Sequence, residues 1–253
     1  MAGWLRCPVC AEGLTLDGRT LGCVAGHRFD VARQGYVNLL GHAAPPNADT
    51  PAMLDARARF LATRWYAPIT DEVRRAVAGC GRVLEVGAGT AHHLAHALDD
   101  DAVGLATDVS VAACRRAARA HPRVAAVVAD TWTGLPLGDG VVDAVVCLFA
   151  PRNLTEFRRV LAPGGRIVVC VPNAGHLAEL RRAAGLLDVP PGKAEELAGQ
   201  LEGTVGAQRV RFAMDLDEAA TRDLVAMGPN AFHGRRAPGA VRTTADVTIC
   251  VGR

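Results

Sequence analysis

An α/β domain built on a mostly parallel sheet, with a small metal-stapled module in front of it, is the fold this sequence predicts. Three observations carry that expectation. Short valine-rich runs at residues 83–86, 103–107, 124–128, 141–148 and 166–171 alternate with helical segments at 91–98, 111–120 and 154–161. Parallel strands buried on both faces and joined by helices read this way. The first run ends in Gly87-Ala88-Gly89, a turn that opens into a helix. The first 40 residues hold three of the eight cysteines and show little helical periodicity.

At 253 residues the chain has room for one large domain and a small appendage. Half of it is hydrophobic and 21% is charged, which excludes a disordered chain. No apolar run is long enough for a membrane span. The N-terminus lacks a signal-peptide layout, so a cytoplasmic protein is expected. The net charge of +2 neither requires nor excludes nucleic acid, because a basic face fits inside a balanced total. Lys193 is the only lysine. Arginine suits phosphates and base edges, although GC-rich coding gives the same bias and is the simpler reading.

Taken in chain order, the first element is the cluster Cys7-Pro8-Val9-Cys10, Cys23 and His27. Three thiolates and an imidazole, two of them on a C-x2-C knuckle, match tetrahedral zinc. Four protein ligands leave no open position, so the ion is structural. Reduced thiols beside a surface histidine are the plainer alternative, which the matched spacing disfavours. Cys80, Cys114, Cys147, Cys170 and Cys250 are scattered and read as small buried hydrophobes. Residues 14–16 and 20–23 form a hairpin-like pair around Asp17-Gly18. Residues 41–50 are a Pro- and Ala-rich connector. A helix starts at Pro51, with Met53, Leu54, Ala58 and Leu61 on one face, and a second covers 69–77. The expected division is a zinc module at 1–40, linker and helices at 41–80, and the α/β domain at 81–253. A helix at 176–187, then strands at 205–214 and 242–251 around a helix at 218–227, complete a seven-stranded sheet.

The glycine loop lacks the third glycine of a dinucleotide fingerprint, since position 92 is His92, so NAD and FAD are disfavoured. Glu85 precedes Gly87 by two residues, and Asp108 follows Gly89 by nineteen, at the end of the next strand. A carboxylate there accepts from both hydroxyls of a ribose. Asp130 ends the third strand, in place for an adenine edge. Helix capping or loop solvation is the plainer reading of Glu85 and Asp130, and Asp108-Val109-Ser110 is itself a fair N-cap. The position of all three at strand ends favours a ligand. Acid-x-Gly-x-Gly with acids after the next two strands resembles the class I S-adenosylmethionine (SAM) methyltransferases, whose fold is Rossmann-like. That fold places the methyl-accepting atom at the loop after the fourth strand, here Phe149-Ala-Pro-Arg-Asn153. Residues 161–165 are its usual turn before the fifth strand.

Joined to Phe29-Asp-Val-Ala-Arg-Gln-Gly-Tyr-Val-Asn-Leu-Leu40, the four-ligand site resembles the zinc-containing 23S rRNA (guanine-N1) methyltransferases. The resemblance continues through Ala56-Arg57, Tyr66-Ala67-Pro68, the glycine loop, Phe149-Ala150-Pro151 and His176-Leu177, nearly the whole chain. His92-His93-Leu94, residues 118–123, 149–153 and 226–229 are similar to the tylosin-resistance branch, which methylates guanine 748 rather than guanine 745. The resemblance implies that SAM meets Tyr66, Glu85, Gly87, Gly89, Thr90, Asp108, Asp130 and His176, and that zinc sits on Cys7, Cys10, Cys23 and His27. It implies a 23S rRNA hairpin as substrate, a homodimer as the working form, and no membrane partner. The tail departs from relatives: the stretch after Phe232 is shorter, and Phe232 stands where they tend to carry tryptophan.

For the chemistry, Phe149 or Phe232 is expected to stack on the target base, and Arg152 or Asn153 to bond its edge. The plainer readings are a core phenylalanine, a phosphate-binding arginine and a helix-capping asparagine. Two other functions compete with RNA methylation. A small-molecule methyltransferase stapled by zinc would enclose its substrate, whereas an RNA enzyme needs a basic path from zinc module to cleft. A zinc-ribbon binding module on an inactive domain is disfavoured, because Gly87, Gly89 and Asp108 are all present.

Overall fold

The computed structural model describes residues 1–203, 206–228, 231 and 237–253. The alternation of valine-rich runs and helices produces one eight-stranded sheet. Its strands are β4 (Tyr36–Asn38), β5 (Arg82–Val86), β6 (Val103–Asp108), β7 (Val124–Val128), β8 (Val142–Leu148), β9 (Leu161–Pro172), β10 (Gly206–Leu216) and β11 (Val241–Gly252), in the order β10-β11-β9-β8-β5-β6-β7-β4. β4 through β9 run parallel, while β11 enters antiparallel between β9 and β10. The sheet has one strand more than expected. β4 is the added one: Tyr36, Val37 and Asn38 pair with Ala126, Val127 and Val128. The residues counted with the zinc module thus run into the main sheet.

The zinc module itself is a three-stranded antiparallel ribbon, β1 (Thr15–Asp17), β2 (Thr20–Gly22) and β3 (Arg28–Asp30). So short a piece buries little on its own. Here it shares a core with the sheet, since Leu5, Cys7, Leu14 and Leu21 pack in one cluster with Leu84, Val127, Leu135 and Leu137. Backbone bonds reinforce the seam, from Arg6 N to the Pro136 carbonyl (2.9 Å) and from Gly138 N to the Trp4 carbonyl (2.8 Å).

Helices cover both faces: α1 (Pro51–Ala62), α2 (Ala67–Val77), α3 (His92–Ala97), α4 (Val111–Ala117), α5 (Leu154–Val160), α6 (Ala178–Ala184), α7 (Lys193–Gln200) and α8 (Glu218–Ala226). α1 starts where expected because Thr50 caps it, its side chain accepting from Met53 N, with Pro51 in the first turn. α6 is shorter than expected: Leu177 is left-handed at its start and Gly185 at its end, which leaves His176 in the preceding turn. α7 has no sequence-based counterpart. Residues 161–165 belong to β9, with a register shift opposite Val142 and Ala144, rather than forming a separate turn.

β5 lies between β6 and β8. The chain winds from β5 outward through β6 and β7, then returns to place β8 on the other side. The crevice between the carboxyl ends of β5 and β8 is therefore the switch point where open α/β sheets bind ligands.

Candidate active site and zinc centre

The ribbon brings Cys7, Cys10, Cys23 and His27 together, with their ligand atoms all within 4.8 Å of one another. Cys10 Sγ is 3.7 Å from Cys23 Sγ, and Cys23 Sγ is 3.4 Å from His27 Nδ1. Tetrahedral zinc with Zn–S near 2.3 Å and Zn–N near 2.05 Å has ligand–ligand edges of about 3.8 and 3.6 Å. The donor set and its spacing fit zinc. With all four positions filled by protein, the ion supplies folding energy rather than chemistry.

The switch point holds the second site. Gly87 and Gly89 lie in the left-handed region at φ +66° and +54°, where a side chain is strained. A Cβ on Gly87 would come within 3.0 Å of Ala150 Cβ, so the glycine loop and the loop 149–153 touch directly. Asp108 braces the glycine loop: one oxygen accepts from Gly89 N (2.9 Å) and the other from Ser110 N (2.9 Å). Burial raises the Asp108 pKa, and those two N–H bonds oppose the rise. Capping of α4 falls to Ser110, which accepts from Ala113 N. Asp130 accepts from Trp132 N (2.9 Å) and lies 3.9 Å from His42 Nε2. Beside it, the buried Thr131 hydroxyl has no hydrogen-bond partner among the described residues. Glycines that admit close approach, acids at the ends of β6 and β7, and an unpartnered hydroxyl suit a nucleoside with hydroxyl and amino groups. Thr90 is half-buried at the mouth of this loop.

Glu85 lies elsewhere than expected. Its carboxyl is buried beneath the loop and accepts from Leu94 N (3.3 Å) in the first turn of α3. Burial pushes its pKa up to about 8. The helix-capping alternative describes it, and it supports the loop from below.

Tyr66, Phe149 and His176 form an aromatic cluster at the end of β8, although they come from distant parts of the chain. Phe149 stacks on His176 at 5.9 Å, and Tyr66 lies 6.3 Å from Phe149 and 6.4 Å from His176. Tyr66 is buried and rests edge-on against Phe60. His176 accepts from Asp246 N through Nδ1, so its neutral ring carries the proton on Nε2. Burial pushes the His176 pKa down to about 4, which keeps the ring neutral at pH 7. Phe149 is a non-glycine residue at φ +55° and is 44% exposed. A ring this exposed is not a core residue, which excludes the core reading.

Asn153 is committed to the fold. Its oxygen accepts from Glu156 N to cap α5, and its amide nitrogen donates to the Thr131 carbonyl (3.0 Å). Each end of the amide makes one bond, so it ties the loop after β8 to the loop after β7 and keeps one N–H and one lone pair beyond them. Arg152 has no hydrogen bond or ion pair among the described residues. Phe232 lies outside the described residues.

An open groove of about 870 Å³ runs between Arg6 and Cys10 on the zinc-module side and Asp130 and Gly134 of the loop after β7. It is not the basic path expected. Glu12, Asp130 and Asp139 share its lining with Arg6, His42 and Arg159, and Arg159 is neutralised by Glu156 and Asp139. Sequence reasoning gave no role to three residues at the site: Arg57, Thr131 and the exposed Trp132. Trp132, one of three tryptophans and two residues past Asp130, was visible as a signal; what Arg57 lies against was not.

Fold and cleft together define a SAM-dependent methyltransferase that carries a structural zinc ribbon. Residues 5–42 match the model of the RlmA N-terminal zinc ribbon, and residues 83–165 match a methyltransferase-domain model. A 23S rRNA (guanine(748)-N(1))-methyltransferase of Streptomyces fradiae is 47% identical over 99% of this chain and 96% of its own length. A Micromonospora griseorubida protein provisionally named as a 23S rRNA (guanine-N(1)-)-methyltransferase is 46% identical over 90% of this chain and 87% of its own. Among solved structures, the YcgJ protein of Bacillus subtilis shares the fold at TM-score 0.51 and 16% identity, over 74% of this chain and 97% of that one. The chain belongs to the zinc-ribbon 23S rRNA (guanine-N1)-methyltransferase family. Membership assigns it two cofactors, SAM and one zinc ion.

Proposed function

We propose that this protein transfers the methyl group of SAM to N1 of a guanine in a hairpin loop of 23S rRNA, guanine 748, and that it works in the cytoplasm as a homodimer. The observation that supports this reading most is that the likeness to the Streptomyces fradiae enzyme runs through ribbon, linker and cleft alike.

The chemistry constrains the residues. N1 lies on the Watson–Crick edge, so the base must be unpaired or flipped, which costs a few kcal/mol and least in a loop. SAM supplies an electrophilic methyl on a sulfonium that leaves readily. The N1–H bond must break, its proton passing to water, as N1 bonds the methyl carbon and the donor's sulfur leaves as a neutral thioether, and the protein's task is to hold N1 in line with the transferring carbon. We assign Phe149 to stack on the base, held in its strained backbone by contact with His176 and Tyr66. Arg152, unpartnered among the described residues, is assigned to the base edge or the adjoining phosphate. Asn153 positions their loop. Asp108, Asp130, Gly87, Gly89 and Thr90 are assigned to the nucleoside and sulfonium of SAM, and Tyr66 and His176 to its methyl end.

Incubation with methyl-labelled SAM and an unmodified 23S rRNA transcript tests this reading. Label is expected in the RNA. Label that enters only small-molecule extracts, or none, would contradict it.

A further inference from the structure

Arg57 lies at the candidate site, and the proposed function gives it no role. It stands in the middle of α1, yet its guanidinium lies over the glycine loop: a Cβ added to Gly89 would collide with its Nη1. The space that Gly89 leaves is taken by this guanidinium. Nη1 pairs with Asp49 Oδ2 at 2.5 Å, and Nη2 donates to the Met227 carbonyl at 2.8 Å. A guanidinium has five N–H donors, and these contacts engage two of them among the described residues. The connector that carries Asp49 is itself anchored across the cleft. Leu39 N donates to the Val128 carbonyl, and Ser110 Oγ donates to the Asp49 carbonyl (2.8 Å).

The charge balance shows what the fork meets. Asp108, Asp130 and Asp49 line or flank the cleft, and the positive charge of Arg57 opposes the burial-driven rise of both Glu85 and Asp108. The amino-acid end of SAM brings one more carboxylate to the glycine loop. That end is a zwitterion: its ammonium suits the acids of this cleft, whereas its carboxylate needs a cationic donor of its own. Planar, two-pronged N–H donation is what a carboxylate takes from arginine.

We propose that Arg57 binds the α-carboxylate at the amino-acid end of the methyl donor, exchanging its Asp49 partner for it. The proposal rests on the reading of this cleft as the SAM site. It gives Gly89 a second role: the residue must be small to admit an arginine as well as to let the ligand approach.

Isothermal titration of the full-length, zinc-loaded protein with two nucleosides tests it. S-adenosylhomocysteine has the amino-acid carboxylate, and 5′-methylthioadenosine lacks that whole end. Removing a charge-assisted bond should weaken S-adenosylhomocysteine binding to Arg57→Gln by about ten- to a hundredfold, with methylthioadenosine affinity unchanged. Arg57→Lys, which keeps the charge but not the fork, should fall between wild type and Arg57→Gln. Unchanged methylthioadenosine binding also certifies that the variant is folded. Equal losses for both nucleosides would make Arg57 a scaffold for Asp49 and Met227 and overturn the proposal, as would no loss at all. A wild type that binds neither nucleoside would overturn the SAM reading itself, a separate and recognisable outcome.

Discussion

Gly87→Ala strikes the point where the glycine loop meets the loop after β8. The cost has two parts. Gly87 has φ +66°, and an L-residue held in the left-handed region costs about 1–2 kcal/mol. The new methyl would also fall within 3.0 Å of Ala150 Cβ, inside the ~3.5–4.0 Å of a relaxed carbon–carbon contact. Ala150 Cβ has no rotamer by which to move aside, so one of the loops must shift, at an overpacking cost of about 1–3 kcal/mol. The sum is about 2–5 kcal/mol, of which the steric part falls inside the cleft. S-adenosylhomocysteine should bind at least about tenfold more weakly, and the melting temperature should drop by at least about 4 °C. The companion Ala150→Gly isolates the steric part. In the double variant the overlap is gone while the φ cost stays, so a double-mutant cycle should return a coupling of about 1–3 kcal/mol. Calorimetry and thermal denaturation read both quantities. Unchanged affinity in Gly87→Ala, or strictly additive effects in the pair, would refute the contact between the loops.

Three further outcomes follow from the same geometry. Chelating zinc should lower a single, whole-chain melting transition and weaken S-adenosylhomocysteine binding, because Leu5, Cys7 and Leu14 share a core with Val127, Ala129 and Leu137 beneath Asp130; two transitions with the upper one unmoved would contradict that shared core. Glu85, raised by burial from 4.5 to about 8, gives a stability contribution that is complete below pH 4.5 and is lost as pH rises toward 8. Glu85→Gln should therefore gain on wild type across that window, by about 3 kcal/mol at pH 7, and parallel pH–melting curves would exclude it. Arg152→Ala should cut methyl transfer severalfold more than it weakens SAM binding, and equal losses in both would return the residue to a structural role.

Much of this architecture was legible in the sequence because its signals are local. The zinc ligands are coded by spacing alone, and β5 to β8 by valine-rich runs between helices. What escaped was set by distant partners or by faint patterning. β4 is three residues long and exists because β7 offers it an edge. α7 buries only Leu197, so no apolar stripe announces it. The candidate-site residues divide the same way. Gly87, Gly89 and Asp108 follow from strand ends, whereas Asn153 and Glu85 have carboxyl or amide groups that nearby backbone N–H groups claim first. Arg57 precedes Gly89 by 32 residues, and only the folded chain lays one over the other.

The central claim, methylation of guanine N1 in 23S rRNA, is tested most directly by mapping the product. Unmodified 23S rRNA is treated with the protein and SAM, digested, and read by mass spectrometry of its nucleosides, with reverse transcription locating the modified position. N1-methylguanosine at one loop guanine, seen as a block to reverse transcription because the methyl occupies the pairing edge, is the expected result. A methylated adenine, a ribose methyl group, or RNA returned unmodified by an enzyme that binds SAM would contradict it.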